Sequence, residues 1–197
     1  MTNSEKILEI VRQNNGMITT SMVIDAGFSR GNLKYLSDNG ILEHVSRGVY
    51  TLPEVWEDEF VNIQNRFKRG VYSLETALFL NDMTDRTPSK FHMTFPATYN
   101  LSGPKQYGVQ CSSVKEQFYC LGIVSLTTPG GNKVRSYSAE RTLCDILKTR
   151  NHTDVQIVTD AFKRYTKSKV MNIPLLSEYA SQLNVEGKLR SYLEVLL

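Results

Sequence analysis

Arg30, Asn32, Lys34 and Tyr35 lie within one short stretch, and Arg47 follows beyond a glycine stop at Gly40. Arginine and asparagine are the side chains that pair bidentately with guanine and adenine edges, while Lys and Tyr reach bases or phosphates. The chemistry open to such a set is recognition of duplex DNA rather than bond making. Gly31 interrupts it with no side chain, which lets a phosphate approach the backbone amides of a helix start, and Ser29 is placed to cap that helix. Thr19, Thr20 and Ser21, a run of hydroxyls upstream, are phosphate donors by type and helix caps by position. Arg47 stands between Ser46 and Gly48, in a turn from which a guanidinium can enter a minor groove.

These residues need particular elements to carry them. Residues 28–50, FSRGNLKYLSDNGILEHVSRGVY, read as a short helix, a glycine stop and a tight two-stranded ribbon. That order is the second half of a winged helix-turn-helix. Leu33 and Leu36, three apart, define the buried side of the helix and leave Arg30, Gly31, Lys34 and Tyr35 on or beside the open side, with Asn32 on its flank. Gly40 suits a left-handed helix end, and Ile41-Leu42 and Val49-Tyr50 are the strand signals of the ribbon. Upstream, Ser4 is a candidate cap for a first helix with Ile7, Leu8, Ile10 and Val11 as its apolar stripe. Asn14-Asn15-Gly16 ends that helix, a second helix runs from the hydroxyl cluster to Asp25, and Ala26-Gly27-Phe28 forms the turn.

The expected fold is α+β: an N-terminal winged helix-turn-helix domain over residues 1–52, an acidic linker and junction over 53–70, and a C-terminal α+β domain over 71–197. The last would have a small sheet packed by helices. The acidic stretch PEVWEDEF marks the boundary, with Trp56 and Phe60 one helical turn apart as anchors. Beyond it, Tyr72–Asn81 reads as helix, Phe91–Phe95 as strand, and Phe118–Thr127 as the clearest strand. Pro129-Gly130-Gly131-Asn132 then turns the chain into Lys133–Tyr137. From Ser138 the pattern is helical, with Leu143, Ile146 and Leu147 on one face. Further helices are expected over Asp154–Tyr165, Leu175–Leu183 and Glu186–Leu196.

Charge is divided unevenly among these segments. The whole chain carries a formal net charge of +3. Residues 1–52 hold five Lys/Arg against five Asp/Glu, residues 53–60 hold four acids and no base, and the remainder is net +7. A neutral reading domain makes a weak monomeric binder, so two copies on paired half-sites are expected. The downstream excess includes Arg66, Lys68 and Arg69 near the junction and Lys163, Arg164, Lys167 and Lys169 on a later helix. One such face is expected to lie against flanking DNA backbone; an ordinary solvated surface is the equal alternative.

Enzymatic signals are weak. No G-x-x-x-x-G-K-[ST], G-x-S-x-G or H-E-x-x-H occurs in the chain, and His44, His92 and His152 are dispersed. Glu140 and Asp145 fall on different faces of a helix, and Asp82 and Asp85 look like capping or loop acids. Three widely spaced cysteines, Cys111, Cys120 and Cys144, fit a reduced compartment better than a zinc site. With no membrane-length apolar run and no signal-peptide core, a cytoplasmic protein with no membrane partner, no cofactor and no metal is expected.

The order of motifs resembles the AbiEi-type antitoxins of bacterial type IV, abortive-infection toxin–antitoxin systems. The resemblance rests on Ala26-Gly27-Phe28-Ser29-Arg30 with Leu33, Gly40-Ile41-Leu42, Ser46-Arg47-Gly48-Val49-Tyr50, and Tyr72-Ser73-Leu74-Glu75-Thr76-Ala77-Leu78. It continues through the strand ending at Pro96 and Ser138-Ala139-Glu140-Arg141-Thr142-Leu143-Cys144-Asp145-Ile146-Leu147, and so spans nearly the whole chain. It implies a repressor of its own operon that binds inverted-repeat operator DNA. It further implies that the C-terminal domain neutralises a nucleotidyltransferase toxin without a stable complex. Gly31 in the reading helix and the neutral charge of the helix-turn-helix depart from that pattern. Two other readings stay open, a winged-helix metal-dependent nuclease and a protein-interaction module.

Overall fold

A computed structural model describes residues 2–196. The chain forms two compact units: residues 1–68 with 127–134, and residues 69–126 with 135–197.

The first unit opens with α1 (Asn3–Gln13). Its cap is Thr2 rather than Ser4, because Glu5 lies three residues beyond Thr2 and completes a capping box. The Thr2 amide donates to the Glu5 carboxylate at 2.7 Å, and the Glu5 amide donates to Oγ1 of Thr2 at 3.2 Å. Residues 17–19 form a strand, β1 (Met17–Thr19). Then come α2 (Thr20–Asp25), α3 (Gly31–Asp38), β2 (Glu43–Ser46) and β3 (Val49–Thr51). The three strands pair antiparallel in the order β1-β3-β2.

Helix α3 stops at Gly40, whose φ is +67°, and the amides of Ile41 and Leu42 both return to the Leu36 carbonyl. That closure explains why the ribbon begins at Glu43 and not at the expected Ile41. Ile7, Val11, Ile18, Val23, Leu33, Leu36 and Leu42 make the core. Each such side chain contributes about 1.5–3 kcal/mol on burial, against the entropy of ordering the chain.

The acidic segment folds into α4 (Glu59–Arg66), and here the sequence expectation fails in one respect. Trp56 is 94% exposed and anchors nothing, while Phe60 is buried. The helix starts too late to carry both, because Asp58 caps it and accepts from the amides of Phe60 (3.1 Å) and Val61 (3.4 Å). The same carboxylate also accepts from the Thr128 hydroxyl and from Nδ2 of Asn132 at 2.9 Å. A Cβ on Gly130 would sit 2.8 Å from that carboxylate, so the Pro-Gly-Gly-Asn turn needs its glycine there. Asn15 adds a hydrogen bond to the Gly131 carbonyl at 2.9 Å. These bonds account for residues 127–134 grouping with the first unit.

The second unit begins with β4 (Val71–Tyr72), so the expected helix starts only at α5 (Leu74–Leu80). Next are β5 (His92–Pro96), α6 (Ser102–Gln106), β6 (Gln110–Val114), α7 (Glu116–Tyr119), β7 (Ile123–Thr127) and β8 (Lys133–Tyr137). The sheet order is β6-β5-β4-β8-β7, mixed in direction. Phe118–Thr127 is therefore not one strand. Gly122, at φ +75°, breaks it, and a Cβ there would lie 2.7 Å from the Cβ of Arg141.

Helices α8 (Ala139–Ile146), α9 (Val155–Thr166), α10 (Ile173–Gln182) and α11 (Glu186–Leu196) complete the unit. Ser138 caps α8 by accepting from the Arg141 amide, as its position suggests. Leu78, Leu143, Phe162, Leu176 and Ala180 form the core with Cys144, whose thiol burial pushes up to about 12. Cys111 is half-buried and Cys120 exposed, and all three thiols are free.

His92 carries a pH consequence. Its Nδ1 is buried with no partner among the described residues. Burial holds its pKa below the ordinary value, outweighing Glu75 and a hydrogen bond with Gln110. The folded unit thus keeps His92 neutral, whereas the unfolded chain takes up a proton as pH falls through about 6.5. This contribution to stability is present above that pH and lost below it. The melting temperature of the wild type should fall from pH 7 to pH 5, and His92→Gln should flatten that slope, as read by circular dichroism.

Candidate nucleic-acid interface

The first unit presents the residues read as DNA contacts on α3, at the start of α2 and on the β2–β3 turn. On α3, Leu33 and Leu36 are 1% and 0% exposed, while Arg30, Gly31, Lys34 and Tyr35 are exposed, Tyr35 at 58%. Asn32 is half-buried, and its Nδ2 donates to the Ser29 carbonyl at 3.0 Å. An adenine would therefore compete with that local bond for the Asn32 amide. Ser29 does not cap α3 as expected. The cap residue is Arg30, already in helical conformation, and Oγ of Ser29 instead accepts from the Gly31 amide at 3.3 Å. A phosphate at Gly31 would have to share that amide.

The wing is short and tied down on both sides. The Gly48 carbonyl accepts from the amide of Thr20 (2.8 Å) and from its hydroxyl (3.3 Å). Nδ2 of Asn65 donates to the Arg47 carbonyl at 2.8 Å, and the Ser46 hydroxyl donates to Oδ1 of Asn62 at 3.1 Å. Helix α4 thus holds the turn that carries Arg47, whose side chain is exposed. Asn62 and Asn65 were missed by sequence reasoning. A signal for them exists, since two asparagines inside a helix are unfavourable unless their amides find partners.

The hydroxyl run divides its labour. Thr19 caps α2 by accepting from the Met22 amide at 3.2 Å, Thr20 binds the wing, and Ser21 accepts from Nζ of Lys68 at 2.6 Å. Thr20 therefore meets the wing at Gly48 and Asn65 meets it at Arg47, while Ser21 pairs with Lys68. Thr19 and Ser21 keep their hydroxyl protons available to a phosphate, whereas that of Thr20 points to Gly48.

Gly48 sits at φ +76°, and a Cβ on it would lie 3.0 Å from Oγ1 of Thr20. Gly48→Ala should destabilise the first unit by about 1–2 kcal/mol, the cost of an L-residue in this region. Chemical denaturation measures this, with Gly27→Ala as a comparison at a positive φ where a Cβ meets nothing within 4 Å.

The remaining cations are placed differently. Arg66 ends α4 and stacks over the Phe67 ring at 5.9 Å. Arg69 falls in the second unit, 3.8 Å from Glu116. Lys163 and Arg164 lie in the last turn of α9, Lys167 closes that helix, and Lys169 follows it. Arg164 is held by Asp85 through both guanidinium nitrogens, and this hydrogen-bonded charge keeps the Asp85 carboxyl below its ordinary range. Among the described residues, no group of three or more His, Cys, Asp or Glu could hold a metal ion. No described helix is long and apolar enough to cross a membrane.

Residues 5–53, the helices and ribbon just described, match the family model of the AbiEi antitoxin transcriptional regulators. The N-terminal segment is thus similar to the regulator domain of that family. The match covers α1 to β3 and so includes α3, the wing turn and the hydroxyl run. No curated relative matches the chain. Among solved structures, the chain is similar to the crystal structure of the RV2827C protein from Mycobacterium tuberculosis. The TM-score is 0.52 and the identity 12%, over 92% of this chain and 72% of that one. That likeness concerns the fold alone. The α+β class with an N-terminal winged helix-turn-helix agrees with the sequence reading.

Proposed function

We propose that this chain is a self-regulating antitoxin that represses its own operon through the AbiEi-type domain. Two copies bind an inverted-repeat operator, each laying α3 in the major groove with Arg47 toward the minor groove. The carrying observation is Arg30, Lys34 and Tyr35 exposed on α3 above the buried Leu33 and Leu36, inside the segment that matches the regulator family. Arg30 reads guanine, Lys34 and Tyr35 reach bases or phosphates, and Thr19, Ser21 and Lys68 hold the backbone. The second unit counteracts a nucleotidyltransferase toxin without forming a stable complex. The protein works in the cytoplasm, where both targets are found.

A reporter driven by the chain's own upstream region tests repression. Co-expression with the adjacent toxin gene tests neutralisation. Repression lost in Arg30→Ala with neutralisation retained is the expected pattern, because the proposal places the two activities in different units. Failure of wild-type protein to repress would reject the regulator half.

The basic end of α9 supplies a further expectation. If Lys163, Lys167 and Lys169 lie on flanking phosphates, neutralising them should lower the salt slope of binding by about one unit for each phosphate released. Arg164, already matched by Asp85, should contribute least. An unchanged slope would return these residues to ordinary surface.

A further inference from the structure

The second unit contains a cavity of about 600 Å³ that the DNA reading does not use. Its size is that of a small-ligand site. Val114, Phe118, Leu147, Leu183 and Val185 give it an apolar wall. Lys148, Arg150 and Lys188 give it a cationic side, and no carboxylate is among the residues that line it. Glu186, the acid in the first turn of α11, lies outside that lining.

The cations are arranged by specific bonds. Lys188 donates from Nζ to the Leu147 carbonyl (2.9 Å) and to Oγ1 of Thr149 (2.6 Å), which leaves one of its three donors for a ligand. Lys148 pairs with Oδ1 of Asp145 at 2.7 Å, but Oδ2 of the same carboxylate already serves Arg141 at 2.9 Å. One carboxylate thus faces two cations. Arg141 also donates to the carbonyl of Phe118, the aromatic wall residue, and its Nη2 is buried without a partner among the described residues.

The first turn of α11 completes the lining with Gly187, where a Cβ would meet nothing within 4 Å. Val185 precedes that helix and has no side-chain acceptor for the first-turn amides. The positive end of the helix therefore adds to the cations.

We infer that this cavity binds a nucleoside phosphate. Its phosphate meets Arg150, Lys188 and the start of α11, its base lies against Phe118 and the aliphatic wall, and base edges meet the Asn184 amide and Oε1 of Gln182, whose Nε2 donates to Glu178 at 3.1 Å. An apolar wall beside cations with no carboxylate in the lining suits a ligand with both a flat apolar part and a compact anion.

Calorimetry on the full chain with AMP, ATP, adenosine and inorganic phosphate tests this, alongside amide shifts of Gly187 and Lys188. AMP and ATP should bind and move both amides, with adenosine and phosphate each weaker by about tenfold or more, one charge-assisted contact's worth. Arg150→Glu, on an exposed side chain, should weaken AMP by about tenfold, while Lys163→Glu, equally basic but outside the cavity, should leave it unchanged. Gly187→Leu should block binding by filling open space, and far-UV circular dichroism verifies the fold of each variant. No AMP binding at millimolar concentration would overturn the proposal. So would binding that survives both Arg150→Glu and Gly187→Leu, or phosphate binding as tightly as AMP.

Discussion

Replacing Arg141 with alanine should cost the second unit about 3–5 kcal/mol, the range for removing one partner of a buried ion pair. Arg141 is 0% exposed, and it is the largest fully buried side chain of the protein's described residues. Its Nε meets Asp145 at 2.9 Å, Nη1 donates to the carbonyls of Phe118 (2.5 Å) and Leu121 (2.8 Å), and the guanidinium lies 4.3 Å over the Tyr137 ring. Removal strands two carbonyls and leaves Asp145 with Lys148 alone. Arg141→Lys should recover little, because a point charge cannot serve the carboxylate and both carbonyls in one plane. Removing charge from both sides, as in Arg141→Met with Asp145→Leu, should be milder than either single change. Urea denaturation followed by far-UV circular dichroism measures all of these; a loss below about 1 kcal/mol in Arg141→Ala would show that the pair is not a structural hub.

The second large effect is on DNA affinity. Arg30→Ala should weaken operator binding by about 1–3 kcal/mol, roughly fivefold to 150-fold, if Arg30 makes a bidentate guanine contact. The loss should be confined to operators carrying that guanine. Lys34→Ala, removing a phosphate contact, should weaken binding to all sequences and lower the salt slope by about one unit. Because both side chains are exposed, neither variant should change stability much. Titration of labelled operator at two salt concentrations separates the two roles.

Helix α3 and its stop were legible because their signals are local. Leu33 and Leu36 at helical spacing and Gly40 at positive φ need only neighbours in sequence. Errors arose where a distant partner decides the outcome. Phe118–Thr127 looks like one strand until Arg141, far along the chain, closes over Gly122. Asp58 looks like one more acid in a solvated linker until Thr128 and Asn132 bind it. Trp56 and Phe60 look like a helical pair because the cap that delays α4 is itself Asp58. The candidate interface follows the same division: Arg30, Lys34 and Tyr35 could be placed by periodicity, whereas Asn62 and Asn65 reach the wing from α4. The motif from Ser138 to Leu147, read first as a family mark, is in the structure a buried hub that organises the second unit.

On the proposed function, α3 of the N-terminal unit reads an operator. Footprinting on the chain's own upstream region, with wild type and with Arg30→Ala plus Lys34→Ala, tests it most directly. Two protected half-sites related by an inverted repeat, about one helical turn or a multiple of it apart, are expected for the wild type and should vanish in the double variant. Undiminished protection by the double variant would contradict the assignment of α3 as the reading helix.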